Sequence, residues 1–340
     1  MIYDKFSTQQ YFFPIRDSFS LFFRIFVPEI KTSREDMKKL FFELMQVAVG
    51  QLDCVERGPS PEEWQELYTL AQQQSVAAIC YRSVVALFEY GLRAPQDLSL
   101  DWMAEAEDLK EQNRGIAKRL VALQQELEGH GVRSSFLTGA VLARFYDKDL
   151  QTLRQSNGSD LYVRGDVHQV NLKEWSDMDV RLCDSVKVGK SSQRSRKLER
   201  WLLQNDDQLF RKAGELTVPS YAVVVILQMV YLYNQYISGR LIMRDLMDLF
   251  FLLRWSEDSS KKFNFPRTTV EEVLTSLRLS RFSGGVMWMM QTVFALDGKN
   301  LPLAPMEHEG QFLMGELMGE NQRIRRWGHL LMHYRWCDLI

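Results

Sequence analysis

Apolar positions recur at helical spacing through most of the first 130 residues. One stripe follows Ser33, which is a typical N-cap residue with acidic residues after it, and another helix begins at Ser60-Pro61. Further helices are predicted near 76–90 and from about Leu100 to Glu128, where glycines end the pattern. The pattern therefore predicts an N-terminal helical region over residues 34–130.

The period of the hydrophobic pattern changes between residues 131 and 197. Three short strands are predicted, at about 132–137, 160–163 and 178–182, and the last alternates apolar with polar residues. Only a short segment separates the second and third strands, barely enough for one crossover helix. These residues predict a small β-sheet core.

Helical patterns return after residue 197. The strongest buried helix is predicted over Pro219–Ile237, and Met243–Leu253 is predicted as an amphipathic helix. Arg244 and Asp248 lie four residues apart in the latter, so the simplest interpretation is an ordinary ion pair along one helix face. More helices are predicted near 270–279, near 282–296 and from Phe312.

These patterns predict an α+β fold with a small mixed sheet between large helical regions. We divide the chain into an aromatic arm (1–33), an N-terminal helical region (34–130), a sheet core (131–197) and a C-terminal helical region (198–340). The arm is dense in phenylalanine and tyrosine. It either packs on the domain or binds a protein partner.

Composition narrows the class of protein. The net charge is −2 and 46% of the residues are hydrophobic, which is typical of a globular protein and makes the chain as a whole a poor nucleic-acid binder. The four cysteines are far apart, so neither a disulfide framework nor a zinc knuckle is indicated, and we expect a cytoplasmic protein. The run Tyr221–Ile237 contains Gln228 and Asn234, which favours a buried helix over a membrane span.

One segment, Lys187–Arg200, carries six basic residues and a single acid. Two interpretations are open, a contact with phosphate or RNA and a solvated loop that leads into a helix. The second is favoured because no aromatic stacking residue appears in the segment before Trp201.

The candidate chemistry lies at the start of the sheet core. A short apolar strand ends at Thr138-Gly139, and a helix-like segment follows over Ala140–Tyr146. A strand, a glycine turn and a helix start direct backbone N–H groups at an anion, and Asp160 at the next strand could hold a cation beside it. Without further evidence, an aspartate placed like Asp160 at a strand start is more often a turn or cap residue than a metal ligand. In the same way, Gly139 by itself would be merely a glycine at a helix start. Asp179 is expected to face Asp160 from the neighbouring strand.

Several segments together resemble a known family. Residues 63–76 resemble its D-W-x-x-L-Y-x-L-A-x-x-x-x-V pattern, Thr138-Gly139-Ala140 stands at its K-G-x turn, and Leu153-Arg154 at its L-R. Gly239–Asp248 resembles its G-x-G-L-R-x-x-x-D segment. In this order, over about residues 40–320, the chain resembles the bacterial uncharacterised nucleotidyltransferase-like family, part of the superfamily of the DNA polymerase beta type.

The resemblance implies an activity and a set of residues. The activity is Mg²⁺-dependent transfer of a nucleotidyl group from a nucleoside triphosphate to an acceptor that the sequence does not identify. The implied catalytic residues and metal ligands are Asp160 and Asp179, with Asp177 as an alternative or additional ligand. The implied nucleotide-binding residues are Thr138, Gly139, Arg154 and Ser156.

The chain departs from the family pattern R-x-S-G-D-I-D-L at its first aspartate. Arg154-Gln155-Ser156 and Asp160 fit on both sides, which places Gly158 at that aspartate, and Thr138 replaces the turn lysine. Loss of a positioned metal ligand lowers a rate by orders of magnitude, so transfer is expected to be impaired. Three outcomes are open: an inactive binding module, a nucleotide-binding protein with one weakly held Mg²⁺ at Asp160, and a cluster rebuilt by Asp177 and Asp179.

Overall fold

The computed structural model describes residues 34–156, 158–255 and 267–319. Its architecture is α+β, with a small mixed sheet between helical regions, as the hydrophobic pattern predicts. The aromatic arm predicted at 1–33 lies outside the described residues, as does the end of the C-terminal region.

Four helices form the N-terminal region: α1 (34–48), α2 (Pro61–Gln73), α3 (Ala77–Glu89) and α4 (Gln96–Gly129). The Ser60 hydroxyl accepts a hydrogen bond from the Glu63 backbone N–H, and the Glu63 carboxylate accepts one from the Ser60 backbone N–H. This capping box starts α2 where the sequence predicts it. The helices bury a core that includes Trp64 and Trp102.

The main sheet has the order β1–β2–β3, with β1 at Arg133–Phe136, β2 at Ser159–Arg164 and β3 at Val180–Cys183. The β1–β2 pair is antiparallel and the β2–β3 pair is parallel. In the parallel register Asp160 lies opposite Arg181, whereas Asp179 precedes the strand. The expectation that Asp160 faces Asp179 directly is therefore wrong by two residues.

The connection between β2 and β3 contains two short 3-10 helices, Val167–Gln169 and Leu172–Trp175. These replace the single crossover helix suggested by its length. The Trp175 ring nitrogen donates a hydrogen bond to Glu126 of α4 at 2.8 Å, which holds the connection against the long helix.

The chain after β3 begins with α5 (Ser192–Gln204) and the single turn α6 (Asp206–Leu209). A two-stranded antiparallel hairpin follows, with β4 at Arg211–Ala213 and β5 at Leu216–Val218. The predicted C-terminal helical region, 198–340, therefore contains one short hairpin that the hydrophobic pattern did not predict. Gly214, with φ +68°, forms the turn that reverses the chain.

Five further helices complete the described chain: α7 (Tyr221–Ile237), α8 (Met243–Trp255), α9 (Arg267–Ser276), α10 (Ser280–Phe294) and α11 (Glu307–Leu317). Every residue of α8 from Met243 to Leu253 is buried, so α8 is a core helix and the prediction of an amphipathic one is wrong. Among the described helices, none combines the length and apolar character that crossing a membrane requires.

The N-terminal region also fixes the start of α8. The Gln74 side-chain oxygen accepts a hydrogen bond from the Met243 backbone N–H at 2.9 Å, and the Gln74 carbonyl accepts one from Arg244 at 3.2 Å. Orphan donors at a helix start need such acceptors when they are buried. Gln74 therefore positions the end of α8 that faces the sheet.

Candidate functional site

A cleft of about 290 Å³ opens between the sheet and the corner where α7 meets α8. Its sheet side is formed by Thr138, Gly139, Gly158, Ser159, Asp160, Asp179 and Arg181. Its helical side is formed by Tyr231, Gln235, Arg240, Ile242, Arg244, Asp245 and Asp248. Leu142 and Arg154 complete the lining. The cleft brings together most of the site residues predicted from the sequence.

Both carboxylate oxygens of Asp160 have partners within the cleft. Arg181 places its Nε 2.8 Å and its Nη2 2.6 Å from Oδ1. The Thr138 hydroxyl donates to Oδ2 at 3.2 Å. The Asp160 side chain is 18% exposed and that of Arg181 73% exposed, so the pair lies at the mouth of the cleft. The predicted metal ligand is thus neutralised by a cation of the same chain.

Gly158 lies directly against Asp179. Its φ is +82°, and a Cβ atom there would lie 2.6 Å from the Asp179 Oδ2 and 2.7 Å from the Asp179 carbonyl oxygen. The Ser159 backbone N–H also donates to that carbonyl at 2.8 Å, which holds the two segments together. In this backbone the Asp179 carboxylate takes the space that a side chain at position 158 would need.

The turn at Gly139 makes a similarly close approach. Its φ is +87°, and a Cβ there would collide with the Gly158 carbonyl oxygen and with Ser159. The segment that follows, Gly139–Phe145, is a 3-10 helix rather than an α-helix. The backbone N–H of Ala140 donates to the Ser159 hydroxyl at 3.0 Å. The predicted anion-binding turn therefore has one of its N–H groups bonded within the protein.

Two of the predicted site residues face elsewhere. Asp177 makes a two-fold contact with Arg119 of α4, with N···O distances of 2.6 and 2.5 Å. That hydrogen bond lowers the pKa of the Asp177 carboxyl below its usual value. Ser156 lines a separate, mostly apolar pocket beside α4.

Arg154 and Asp248 form a buried ion pair behind the cleft. The Arg154 Nε and Nη2 lie 2.6 and 2.7 Å from the two Asp248 oxygens, and both side chains are at most 2% exposed. The Tyr146 hydroxyl donates to Asp248 at 2.7 Å. Burial opposes the charge of Arg154, but the neighbouring Asp248 outweighs it and raises the Arg154 pKa above its usual value.

The predicted ion pair between Arg244 and Asp248 along α8 is wrong, because each residue has another partner. Asp248 bonds Arg154, which is 94 positions away in sequence, while Arg244 pairs with its neighbour Asp245. Burial raises the pKa of Asp245, and the Arg244 charge opposes that rise. Arg154 was predicted to bind nucleotide, but its guanidinium donates chiefly to Asp248.

A second lobe of the cleft lies on the other side of the Asp160–Arg181 pair. Both lobes share Thr138, Asp160, Arg181, Tyr231, Gln235 and Arg240. The second lobe adds Lys187 and Asp184, together with apolar residues of its floor such as Leu137 and Leu227. Sequence reasoning did not single out Arg240 or Tyr231, because their role depends on how the helical region docks.

Cys183 lines the second lobe, and its thiol is expected to react slowly. Burial, with the Asp160 charge adding to it, raises the pKa of Cys183 to about 12. At about pH 8 its thiolate fraction is then on the order of 10³ lower than that of an ordinary cysteine. Alkylation by iodoacetamide, followed by peptide mass spectrometry, should be correspondingly slow and should accelerate as pH rises. The urea-unfolded chain is the control, and equally fast alkylation of native and unfolded protein would contradict the expectation.

The carboxylates of this site do not fit a two-metal centre. Mg²⁺ requires several oxygen ligands in near-octahedral geometry. Asp160 is bonded to Arg181 and Thr138, Gly158 brings no carboxylate, and Asp177 faces Arg119. Within the described ranges, no group of three or more His, Cys, Asp or Glu side chains is arranged to hold a metal ion.

A comparison with family models places this site in context. Residues 60–172 match the model of a family described as an uncharacterised nucleotidyltransferase, which is about a third of the chain. The match supports a nucleotidyltransferase-like protein, in agreement with the resemblance seen in the sequence. It covers Thr138, Gly139, Arg154 and Asp160 but ends before Asp179. Searches of curated proteins and of solved structures found no match.

Proposed function

We propose that the protein binds a nucleoside triphosphate in this cleft and that its metal-dependent nucleotidyl transfer is impaired. The ion pair between Asp160 and Arg181 carries the proposal. It puts a guanidinium on the one motif carboxylate that the chain retains. A metal ion would have to displace Arg181 before it could use that oxygen.

Nucleotide binding is supported by the form and lining of the cleft. The family match covers the part of the sheet side from Thr138 to Asp160, and the cleft lies between the sheet side and the helical corner. Tyr231 and Ile242 offer apolar surface beside the charged groups. Ligand pockets usually have such a mixture of apolar surface and a few polar groups. The acceptor of a transfer reaction is not defined by any of these residues.

Impaired transfer follows from the charge that the reaction must stabilise. Nucleotidyl transfer develops negative charge on the phosphates, and metal ions held by several carboxylates normally neutralise it. Asp160 is already paired and Gly158 supplies no ligand, so this stabilisation is reduced. Each lost ligand costs several kcal/mol of transition-state stabilisation, about two or more orders of magnitude in rate.

Calorimetry with ATP, GTP, CTP and UTP, each with and without Mg²⁺ or Mn²⁺, tests binding. We expect one of the four to bind, and Gln235→Trp, which places a large ring where both lobes meet, to weaken that binding at least about tenfold. Gln193→Trp, on the exposed face of α5, is the matched control and should bind as the wild type does. Binding of none of the four nucleotides would refute the proposal.

Incubation with radiolabelled nucleotide and Mg²⁺ tests the second half of the proposal. Little label should be transferred to the protein itself or to a mixture of nucleotide, sugar and alcohol acceptors. Rapid label transfer that is lost in Asp160→Ala and Asp179→Ala would show a rebuilt metal centre instead.

A further inference from the structure

We propose that the phosphate chain of the ligand binds to Arg181, Arg240 and Lys187, without a divalent metal and away from the glycine turn. This inference rests on the proposed nucleotide binding and assigns the anion subsite within the same cleft. The subsite lies in the second lobe, where these three cations line the wall. Arg181 is proposed to supply the charge that a metal ion supplies in related transferases.

Arg181 retains donors for an anion while it is paired. A guanidinium has five N–H groups, and Arg181 directs only Nε and Nη2 at Asp160. Among the described residues Nη1 has no acceptor, so it is left for a ligand, and 73% of the side chain is exposed. Both contacts are made to one carboxylate oxygen, Oδ1, so the pair places the guanidinium beside Asp160.

Arg240 and Lys187 line the same lobe, and their charged groups are available to a ligand. Within the part of the chain that the structure describes, neither side chain makes a hydrogen bond or an ion pair. Both residues are exposed, so their charges remain solvated in the absence of a ligand and folding incurs no desolvation penalty for them. An anion that reaches all three cations gains charge-assisted hydrogen bonds from each.

Backbone contacts hold both residues at the edges of the lobe. The Asn234 side chain of α7 donates to the Lys187 carbonyl at 2.8 Å and accepts from the Gly189 backbone N–H at 2.7 Å. The Arg240 backbone N–H donates to the Gln235 carbonyl at 2.9 Å, at the end of the same helix. One helix therefore positions two of the cations relative to each other.

The glycine turn is a poorer place for phosphate in this chain. Ser159 accepts the backbone N–H of Ala140, which removes one donor from the turn. The exposed Asp179 carboxylate lies against Gly158, and Gly158 itself packs against Gly139. A phosphate at the turn would therefore meet a nearby carboxylate without a metal ion to separate the two charges.

In the second lobe the cationic side chains outnumber the acidic ones. Asp160 is paired with Arg181, and the exposed Asp184 is the other acid of the lining. Against these stand Arg181, Arg240 and Lys187, so the lobe has a net positive lining. Mg²⁺ on the phosphates would reduce the negative charge that these side chains recognise.

Calorimetry with ATP and with inorganic tripolyphosphate tests the subsite, in EDTA and in Mg²⁺. The wild type should bind both ligands in EDTA at least as tightly as in Mg²⁺. Arg240→Gln and Lys187→Gln should each weaken binding about tenfold or more, because each loses a charge-assisted contact. Arg196→Gln, an exposed arginine on α5 outside the cleft, is the matched control and should change nothing.

Arg181→Gln tests the subsite most directly, because it should change how ATP binding depends on metal. In EDTA it should weaken ATP binding about tenfold or more, because a cation is lost. The same substitution frees the Asp160 carboxylate, so Mn²⁺ should restore part of the affinity in this variant and none in the wild type. A structural role of Arg181 alone would not create this dependence on metal.

The outcomes separate this inference from the function on which it rests. Binding of ATP that requires Mg²⁺, or that is indifferent to all three substitutions, overturns the subsite and leaves nucleotide binding in place. No binding of ATP or of the other three nucleotides under any condition overturns both.

Discussion

Replacement of Asp248 by alanine is expected to lower the free energy of unfolding by about 3–5 kcal/mol. Asp248 and Arg154 are 1% and 2% exposed, so the substitution leaves a buried guanidinium without its carboxylate. The Tyr146 hydroxyl loses its acceptor as well. Urea denaturation followed by circular dichroism measures the change.

Two variants separate the cost of an unpaired charge from the value of the pair. The double substitution Arg154→Met with Asp248→Leu should recover most of the loss, because apolar residues of similar volume often replace a buried pair without penalty. Asp177→Ala breaks a pair with the same two-fold geometry in which both partners, Arg119 and Asp177, are exposed. It should change stability little, because solvent screens the pair. Equal effects of Asp248→Ala and Asp177→Ala would contradict the argument.

Restoring the missing motif residue with Gly158→Asp is expected to destabilise the protein rather than activate it. The side chain would need a positive φ and would lie 2.6 Å from the Asp179 carboxylate and 2.7 Å from its carbonyl oxygen. Backbone strain and crowding together should cost about 2–5 kcal/mol. We expect a lower urea midpoint and no gain of Mg²⁺-dependent label transfer.

Two alanine variants divide that cost into its parts. Gly158→Ala keeps the strain and the crowding but adds no charge. Gly214→Ala shares the positive φ, at +68°, but a Cβ there would meet nothing within 4 Å. It should therefore show the strain alone, about 1–2 kcal/mol. A Gly158→Asp protein that is as stable as the wild type, with metal-dependent transfer, would show that the loop rearranges to accept the carboxylate.

The sequence predicts the local features of this fold well. Ser60-Pro61 starts α2, and the glycines after Glu128 end α4, because caps depend on only a few neighbouring residues. The three strands of the main sheet appear within two or three residues of their predicted positions. The fold class follows from these elements.

Features that depend on partners distant in sequence could not be predicted. The period of residues 178–182 indicates a strand but does not set its register, so the pairing of Asp160 with Arg181 stayed hidden. The i,i+4 spacing of Arg244 and Asp248 suggested a local ion pair, whereas burial directs Asp248 to Arg154. The hairpin at β4 and β5 has strands of three residues, too short for a periodic signal.

The roles of individual site residues were only partly accessible. Thr138, Gly139, Arg154, Asp160 and Asp179 were all singled out from the sequence, and all line the cleft. What the sequence did not reveal is which of them are already engaged by neighbours. Arg240 and Tyr231 belong to the helical side, and no local pattern marks them as facing a sheet.

The buried pair between Arg154 and Asp248 has a consequence for the order in which the chain is made. Asp248 is synthesised 94 residues after Arg154. At bacterial or eukaryotic elongation rates this interval is on the order of 5–20 s. During that time burial of Arg154 would leave its charge unpaired, which is costly. We therefore expect the core around the cleft to close only after α8 has been synthesised, and the N-terminal two thirds of the chain to remain incompletely folded until then.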